Sequence, residues 1–407
     1  MRNIRWTYVL AFVILACLTG GYAGADSAEG DGGQRSLSSS VLDEIMSGFS
    51  SRINAVGFGV VQKPLDSALN PNNILGIVDY QTELDLRPDF NLNFHRLELV
   101  FKPRLEGRWQ KWIQGDHKGS EGHAEGFVQE WLLRYRVVDP LFISYGRENL
   151  QWGPSYLLSA SNPFNPSNGR NNPQLEVPGL GYGRVLFVPN TEWSASFIAN
   201  TDHGRLQLPG AFKRSYALKL DYIGTGKYFS LIPSYREDGT SRVGFYGGWT
   251  VSDAAMLYTE GQIAAQGKNP RILVGGSYTL QLGPTLGLEY FRKQDGCNRM
   301  PILLCFTPSA GGGVSKDFLV QQGQDFVRTD YLMLQYLQSR IADVFNLTVR
   351  WVRNLDDNSN RFLGIFEYEI GDHTQIFMVD NVLEGGGRTE FRSVVGFSLM
   401  LGISYTF

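Results

Sequence analysis

The C-terminal segment, residues 395–407, constrains the fold more than any other part of the chain. Its odd-numbered positions are all apolar, and its even-numbered positions are mostly small or weakly polar. Alternation with a period of two places the apolar side chains on one face of a β-strand and the others on the opposite face. A strand with lipid outside and a wet lumen inside has this pattern. The segment therefore predicts a strand of a transmembrane β-barrel.

The last residue of the chain supports the same interpretation. Phe407 follows an aromatic-rich final strand, and this ending resembles the assembly signal of bacterial outer-membrane β-barrels. A soluble β-propeller or double sandwich would explain neither the terminal aromatic residue nor the alternation of short and long connections along the chain. We therefore expect an all-β protein, a transmembrane antiparallel β-barrel in the bacterial outer membrane, with lipid around it.

The first 25 residues have the three parts of a secretory signal peptide. Arg2 and Arg5 are followed by an apolar run over 9–18, and small residues at 23–25 form a cleavage site. The apolar run is too short for a membrane-spanning helix. We predict export with cleavage, and lipidation at Cys17 is the alternative.

Three regions follow from this organisation. Residues 1–25 are the predicted signal peptide, and residues 26–51 are a periplasmic N-terminal segment in which 40–51 could form a short helix. Residues 52–407 form the barrel. Eighteen candidate strands alternate between short turns and long connections, as in outer-membrane barrels. A count of sixteen is the alternative, because three of the candidate strands are weak.

Charged side chains alternate with apolar ones on the first hairpins, over 74–87, 92–109 and 126–138. Arg or Lys facing hydrocarbon at mid-bilayer costs about 2–4 kcal/mol, so these side chains should line the lumen. They brace the wall as cross-strand ion pairs, or they form a polar track or ion-selective constriction. The candidate lumen-lining residues are Asp79, Glu83, Asp85, Arg96, Lys102, Arg104, Arg108, Glu130, Arg134 and Arg136.

A motif over 145–166 ends a strand at a Trp-Gly-Pro break and opens a loop of about thirty residues. Loops of this length are functional or folded into the domain more often than they are passive linkers. The segment resembles the Wzi-like superfamily of outer-membrane capsule-assembly barrels. The matching motif residues are Gly146, Arg147, Trp152, Gly153, Pro154, Leu158, Ser161, Asn162 and Pro163.

The resemblance implies eighteen strands, a small helical N-terminal element, and a non-enzymatic barrel that binds surface polysaccharide or assists its assembly. Aromatic side chains near the outer end would hold sugar rings, and arginines would bind uronic carboxylates. The candidates are Trp109, Trp112, Trp152, Tyr156, Arg147 and Arg170. The alternatives are a porin-like diffusion channel and the barrel sheath of a porin–cytochrome electron conduit, which would need a separate periplasmic or outer-membrane partner protein.

Other features limit the chemistry. The net charge of −3 does not indicate nucleic-acid binding. Neither a nucleophile elbow nor a zinc-protease motif occurs, so we expect no catalytic residues and no enzyme activity. No c-type haem motif occurs, and we expect no cofactor and no metal. Once the signal is removed, Cys297 and Cys305 remain, and an oxidising compartment predicts a disulfide between them.

Overall fold

A computed structural model describes residues 37–205, 211–265, 267, 269–305 and 326–407. The predicted signal peptide, with Cys17, lies outside the described residues. These described residues contain one α-helix, α1 (Leu37–Gly48), and two short 3₁₀ turns, Pro71–Asn73 and Ile302–Cys305. No helix in this part of the chain is long and apolar enough to cross a membrane.

Eighteen strands follow in the described residues, so the prediction of eighteen is confirmed over the alternative of sixteen. Their bounds are β1 Phe49–Pro64, β2 Tyr80–Phe94, β3 Leu97–Trp112, β4 Gly119–Val138, β5 Leu141–Glu148, β6 Leu180–Phe187, β7 Trp193–Asp202, β8 Ser215–Gly224, β9 Lys227–Arg236, β10 Ser241–Ser252, β11 Ala255–Ala264, β12 Arg271–Thr279, β13 Thr285–Lys293, β14 Asp330–Ile341, β15 Phe345–Asn354, β16 Asn360–Ile370, β17 Thr374–Glu384 and β18 Val395–Thr406.

Each strand pairs antiparallel with its neighbours in the chain, and β1 also pairs with β18, which closes the sheet into a barrel. The closing register places Asn54 opposite Thr406 and Val60 opposite Met400. Closure leaves no free strand edge, and a β-structure in lipid requires this because hydrocarbon offers no hydrogen-bond partner. The all-β barrel prediction is therefore confirmed.

The connections differ in length at the two ends of the barrel. One end, the turn end, carries eight connections of two to five residues, and the opposite loop end carries nine that are mostly longer. The longest are 294–329 and 149–179, both at the loop end. Outer-membrane barrels place short turns in the periplasm and long loops outside.

The outer face of the barrel is apolar. On β18, the side chains of Phe397, Leu399, Leu401, Ile403 and Tyr405 are 37–57% exposed, although all are large and apolar. The alternate position Ser404 is only 7% exposed on the inner face. The period-two pattern of the sequence therefore corresponds to an apolar outer face and a covered inner face of β18.

One turn differs from its predicted position. The predicted strands 74–87 and 92–109 leave a turn at 88–91, but β2 continues to Phe94 and the turn is at 95–96. Pro88 is tolerated inside β2 because it lies where the pairing with β3 is interrupted, between the Leu86 and Phe90 pairs. His95 instead adopts the positive φ of the turn, +52°. Strand β1 also begins at Phe49, three residues before the predicted barrel start.

Candidate functional site

The connection between β5 and β6, residues 149–179, runs inside the barrel, and we call it the infolded loop. β5 and β6 are hydrogen-bonded neighbours, so the loop starts and ends at the same place on the wall. Between these points its residues contact strands on the far wall, from β10 to β18, and return past β2 to β4. The infolded loop therefore crosses the lumen.

Glu260 of β11 is the first anchor of the infolded loop. Its carboxylate accepts hydrogen bonds from the hydroxyls of Ser155, Ser159 and Ser161, each at 2.8 Å, and from the Ser161 backbone N–H at 3.0 Å. The Glu260 residue is 0% exposed. A buried carboxylate is tolerated only where donors surround it, and here all four donors come from the loop.

Glu289 of β13 is the second anchor. It accepts the backbone N–H groups of Tyr156 at 2.6 Å and Leu157 at 3.0 Å, and the hydroxyl of Tyr258 at 2.7 Å. Leu157 and Leu158 beside these contacts are 2% and 3% exposed. They pack in a cluster with Tyr258, Leu273, Phe291, Tyr331, Met333, Val352 and Phe391. Polar and apolar contacts thus hold the same turn of the loop against the far wall.

The return path of the infolded loop is anchored on three more strands, β15, β16 and β3. Arg350 of β15 donates to the side chain of Asn171, and Gln174 donates to Glu367 of β16 at 2.9 Å. Glu176 binds Arg104 of β3 through two hydrogen bonds, at 2.6 and 2.7 Å. A two-pronged guanidinium–carboxylate pair fixes geometry as well as charge. The loop is therefore attached around most of the lumen.

The motif found in the sequence builds the first turn of the infolded loop. Gly153 has φ +86°, and a Cβ there would lie 2.2 Å from a Glu260 carboxylate oxygen. Gly146 is also required, because its Cβ would lie 2.1 Å from the Trp131 carbonyl oxygen. Asn162 donates to the Leu150 carbonyl at 2.9 Å and caps the turn at Phe164. Pro154 and Pro163 lie in the same loop.

Two predicted sugar-holding residues, Trp109 and Arg147, lie on the outer side of the wall, and Trp112 is bound to the connection between β1 and β2. Trp109 is 45% exposed on the apolar outer face. The indole N–H of Trp112 donates to the Gly76 carbonyl. Arg147 pairs in register with the outward Trp131, and one of its guanidinium nitrogens donates to the Val128 carbonyl. The motif arginine thus ties the strand end together on the outer side of the wall.

Most of the predicted charged stripe lies on the inner wall and is internally paired. Across β2, β3 and β4, ion pairs join Arg108 to Glu83 at 2.7 Å, Lys102 to Glu130 at 2.7 Å and Arg134 to Glu98 at 2.8 Å. Asp85 pairs with Arg87 on its own strand at 2.7 Å. These contacts agree with the bracing alternative, because opposite charges on neighbouring strands stabilise each other.

Three residues of the stripe lie elsewhere. Arg96 is in the β2–β3 turn, where it donates to the Val137 carbonyl, because the turn is later than predicted. Asp79 precedes β2 and accepts the backbone N–H of Ile113. Arg136 lies near the turn end, 3.9 Å from Asp139. None of the three therefore takes part in the ion-paired wall.

One carboxylate group within the described residues has oxygens close enough to share a cation. Atoms of Glu83, Asp85 and Glu106 lie within 4.8 Å of one another. Arg108 forms ion pairs with Glu83 and Glu106, and Arg87 pairs with Asp85. Guanidinium groups already supply the positive charge there, so the group belongs to the braced wall.

A second buried polar cluster lies among the connections at the loop end. Arg328 binds Asp357 at 3.2 Å, and both side chains are 0% exposed. Glu390, in the connection between β17 and β18, accepts hydrogen bonds from Asn354, Tyr331 and the Val327 N–H. Burial raises the pKa of Glu390 to about 7. No local sequence pattern predicts this cluster, because Arg328, Asp357 and Glu390 lie in three separate connections. Nearby, Cys297 and Cys305 form a disulfide.

A cavity of about 550 Å³ lies between the infolded loop and the turn end. Tyr156 and Arg170 come from the loop, and Tyr228, Tyr246 and Tyr258 come from β9, β10 and β11. We call this cavity the tyrosine pocket. Its remaining lining residues are Gly153, Pro154, Met256 and Ser277. Tyr156 and Arg170 were selected from the sequence, whereas the other three tyrosines were not.

Comparison with known proteins supports the architecture. No protein-family model matches the chain, and neither does any curated protein. Among solved structures, Pseudomonas aeruginosa OccK3 (OpdO) has a TM-score of 0.58 and 10% identity, over 92% of this chain and 99% of that one. OccK5 (OpdH) of the same organism has a TM-score of 0.56 and 12% identity, over 89% and 98%.

A third similar structure is Pseudomonas aeruginosa OprD, with a TM-score of 0.54 and 8% identity, over 89% of this chain and 95% of that one. Identities this low carry information about fold and none about ligand. The finer resemblance to the Wzi-like superfamily stays a prediction. The chain therefore has a porin-like eighteen-stranded β-barrel fold.

Proposed function

We propose that this protein is a non-enzymatic diffusion channel of the bacterial outer membrane, with a lumen narrowed by the infolded loop. The observation that carries the proposal is the loop itself, which crosses the lumen and is anchored on opposite walls by Glu260, Glu289 and Arg104. A barrel of sixteen to eighteen strands leaves an aqueous interior unless something fills it. A fixed internal loop narrows that interior to a passage that selects solutes.

The distribution of charge suggests how solutes are selected. The ion pairs of β2 to β4 neutralise one another, and Glu260 and Glu289 are buried by the loop. Charge beside β2 to β4 is therefore largely neutralised, whereas Arg184 of β6 and Arg361 of β16 donate to the neutral side chains of Ser196 and Asn381. Near β2 to β4, selection would rest on solute size and hydrogen bonding more than on net charge, because channel selectivity follows the groups exposed to the solute.

Two other functions have less support. Surface-polysaccharide assembly was expected from the motif, but the motif residues are occupied in forming the loop turn around Glu260, and Trp109 faces outward. A sheath around a partner cytochrome needs a lumen free along its length, whereas the infolded loop occupies it. A surrounding annulus of lipid fits the apolar outer face.

Single-channel recording of the refolded protein in a planar bilayer tests the proposal. Wild type should give small, stable conductance steps. Deletion of residues 155–175, and separately the double variant Glu260→Ala/Glu289→Ala, should give larger steps, with folding checked by heat-dependent gel migration. Silence in all three proteins would overturn the channel. Silence combined with retention of purified surface polysaccharide would favour the assembly role.

A further inference from the structure

The tyrosine pocket combines aromatic surface with hydroxyl groups and few free charges. Four tyrosine rings line it, and its volume lies within the roughly 300–1,000 Å³ of typical ligand sites. Within the described residues, the hydroxyls of Tyr156 and Tyr228 have no hydrogen-bond partner. No carboxylate lines the pocket. It therefore offers ring faces and free phenol groups to a solute.

The tyrosines are held in place by the wall behind them. Gly248 lies under the Tyr228 ring, and a Cβ there would lie 2.6 Å from ring atoms; Gly275 has the same relation to Tyr258 at 2.6 Å. The Tyr258 hydroxyl is fixed on Glu289 at 2.7 Å. Rings that lie against glycines lose little freedom when a ligand binds, and preorganisation of this kind lowers the cost of binding.

Arg170 is the cation at the pocket, but its donors are already used. One terminal nitrogen donates to the Pro154 and Ser155 carbonyls, each at 2.7 Å, and the other donates to the Gly153 carbonyl at 3.3 Å. The guanidinium also lies 5.2 Å from the centre of the Tyr156 ring. A two-pronged grip on a carboxylate needs parallel free N–H groups. Arg170 therefore shapes the loop more than it attracts an anion.

We propose that the tyrosine pocket binds the ring of a neutral pyranose sugar, as a substrate subsite on the path through the barrel. Apolar C–H groups on the face of the sugar ring pack on the tyrosine faces, and its hydroxyls bond with Tyr156, Tyr228 and Ser277. Tyrosine provides both surfaces in one side chain. As a transport subsite, the assignment rests on the proposed channel function.

Isothermal titration of the detergent-solubilised protein tests the subsite without requiring conductance. D-glucose should bind with a dissociation constant near the millimolar range, as expected for a site that must also release its solute. Mannitol has similar hydroxyls but no ring face, and it should not saturate. Glucuronate should bind no more tightly than glucose. Equal binding of mannitol and glucose, or glucuronate binding more than about tenfold tighter, would overturn the neutral-ring assignment.

Two matched substitutions locate the site. Tyr228→Ala should weaken glucose binding by about tenfold, because it removes a ring face and a hydroxyl. Tyr278 lies on the outer face of β12, the strand next to β11, so Tyr278→Ala should leave glucose binding unchanged. Equal affinities for these two variants would refute the location. Binding without conductance would refute the channel and retain the subsite, whereas conductance without binding would do the reverse.

Discussion

The anchoring of the infolded loop by Glu260 gives the sharpest quantitative prediction. Glu260→Ala removes the acceptor of four hydrogen bonds from Ser155, Ser159 and Ser161. A single hydrogen bond to a charged group contributes about 1.5–3 kcal/mol, but such contributions within one network do not add. Removing the carboxylate leaves buried hydroxyl and N–H donors without an acceptor, which costs about 1–3 kcal/mol for each unsatisfied group. We therefore expect the anchored state to lose about 4 kcal/mol.

That loss corresponds to a rise of about a thousandfold in the fraction of released loop, since 1.4 kcal/mol is a factor of ten. The anchored state is still favoured by the packing of Leu157 and Leu158 and by the hydrogen bonds to Glu289. The barrel should therefore stay folded. Release would make the Arg170–Asn171 bond accessible to trypsin. Where opening is fast relative to cleavage, the cleavage rate follows the open population.

The assay is limited proteolysis of protein reconstituted in lipid vesicles, with the new N-terminus at Asn171 identified by mass spectrometry. Cleavage of Glu260→Ala at this bond should be faster than in wild type by about two to three orders of magnitude. Glu130→Gln is the matched control, because it removes one lumenal charge paired with Lys102 and not with the loop. A cleavage rate for Glu260→Ala equal to that of Glu130→Gln would refute the anchoring.

Three further predictions concern other contacts. Burial raises the pKa of Glu390 to about 7 in the folded state, so the folded protein binds this proton more tightly than the unfolded chain does. The free energy of unfolding in urea should therefore fall by about 3 kcal/mol as the pH rises from about 4.5 to 7. Glu390→Gln should remove this dependence, and an unchanged pH profile in the variant would contradict the prediction. Replacing both Cys297 and Cys305 by Ser should cost about 2.5 kcal/mol of unfolding free energy, estimated from the short loop that the disulfide closes, without changing conductance. Arg104→Lys keeps the charge but loses the paired hydrogen bonds to Glu176, so trypsin cleavage at Arg170 should again rise, whereas Arg134→Lys, paired with Glu98 away from the loop, should have no such effect.

The alternation of apolar and polar residues in the sequence predicts most of the fold. Every second side chain of a lipid-facing strand must be apolar, and this local rule predicted eighteen strands, the outer face of β18 and the inward position of Glu83, Lys102 and Arg104. Residues on neighbouring strands also meet across a hairpin, which explains why the ion pairs of the first strands could be expected. The turn at 95–96 lies later than predicted, because β2 continues past Pro88 where the pairing with β3 is interrupted.

The candidate site depended on contacts that no local pattern contains. The motif residues from Trp152 to Pro163 were identified by resemblance, but their partner Glu260 lies about a hundred residues later in the chain. Tyr228, Tyr246 and Tyr258 meet in one cavity because Tyr228 and Tyr258 both pair opposite Gly248 of β10, and Tyr246 lies two residues away on the same face of that strand. The outward position of Arg147 likewise follows from its register opposite Trp131.

The sequence by itself therefore determined the class of structure, because lipid outside and water inside impose a period of two on every strand. The tertiary structure decided where the long loop goes and what it binds. Barrel closure brings β11, β13 and β3 around one lumen, and the buried carboxylates of Glu260 and Glu289 must find donors there. Those donors come from the loop, and this requirement of burial, which exists only in the closed barrel, draws the chain into the passage.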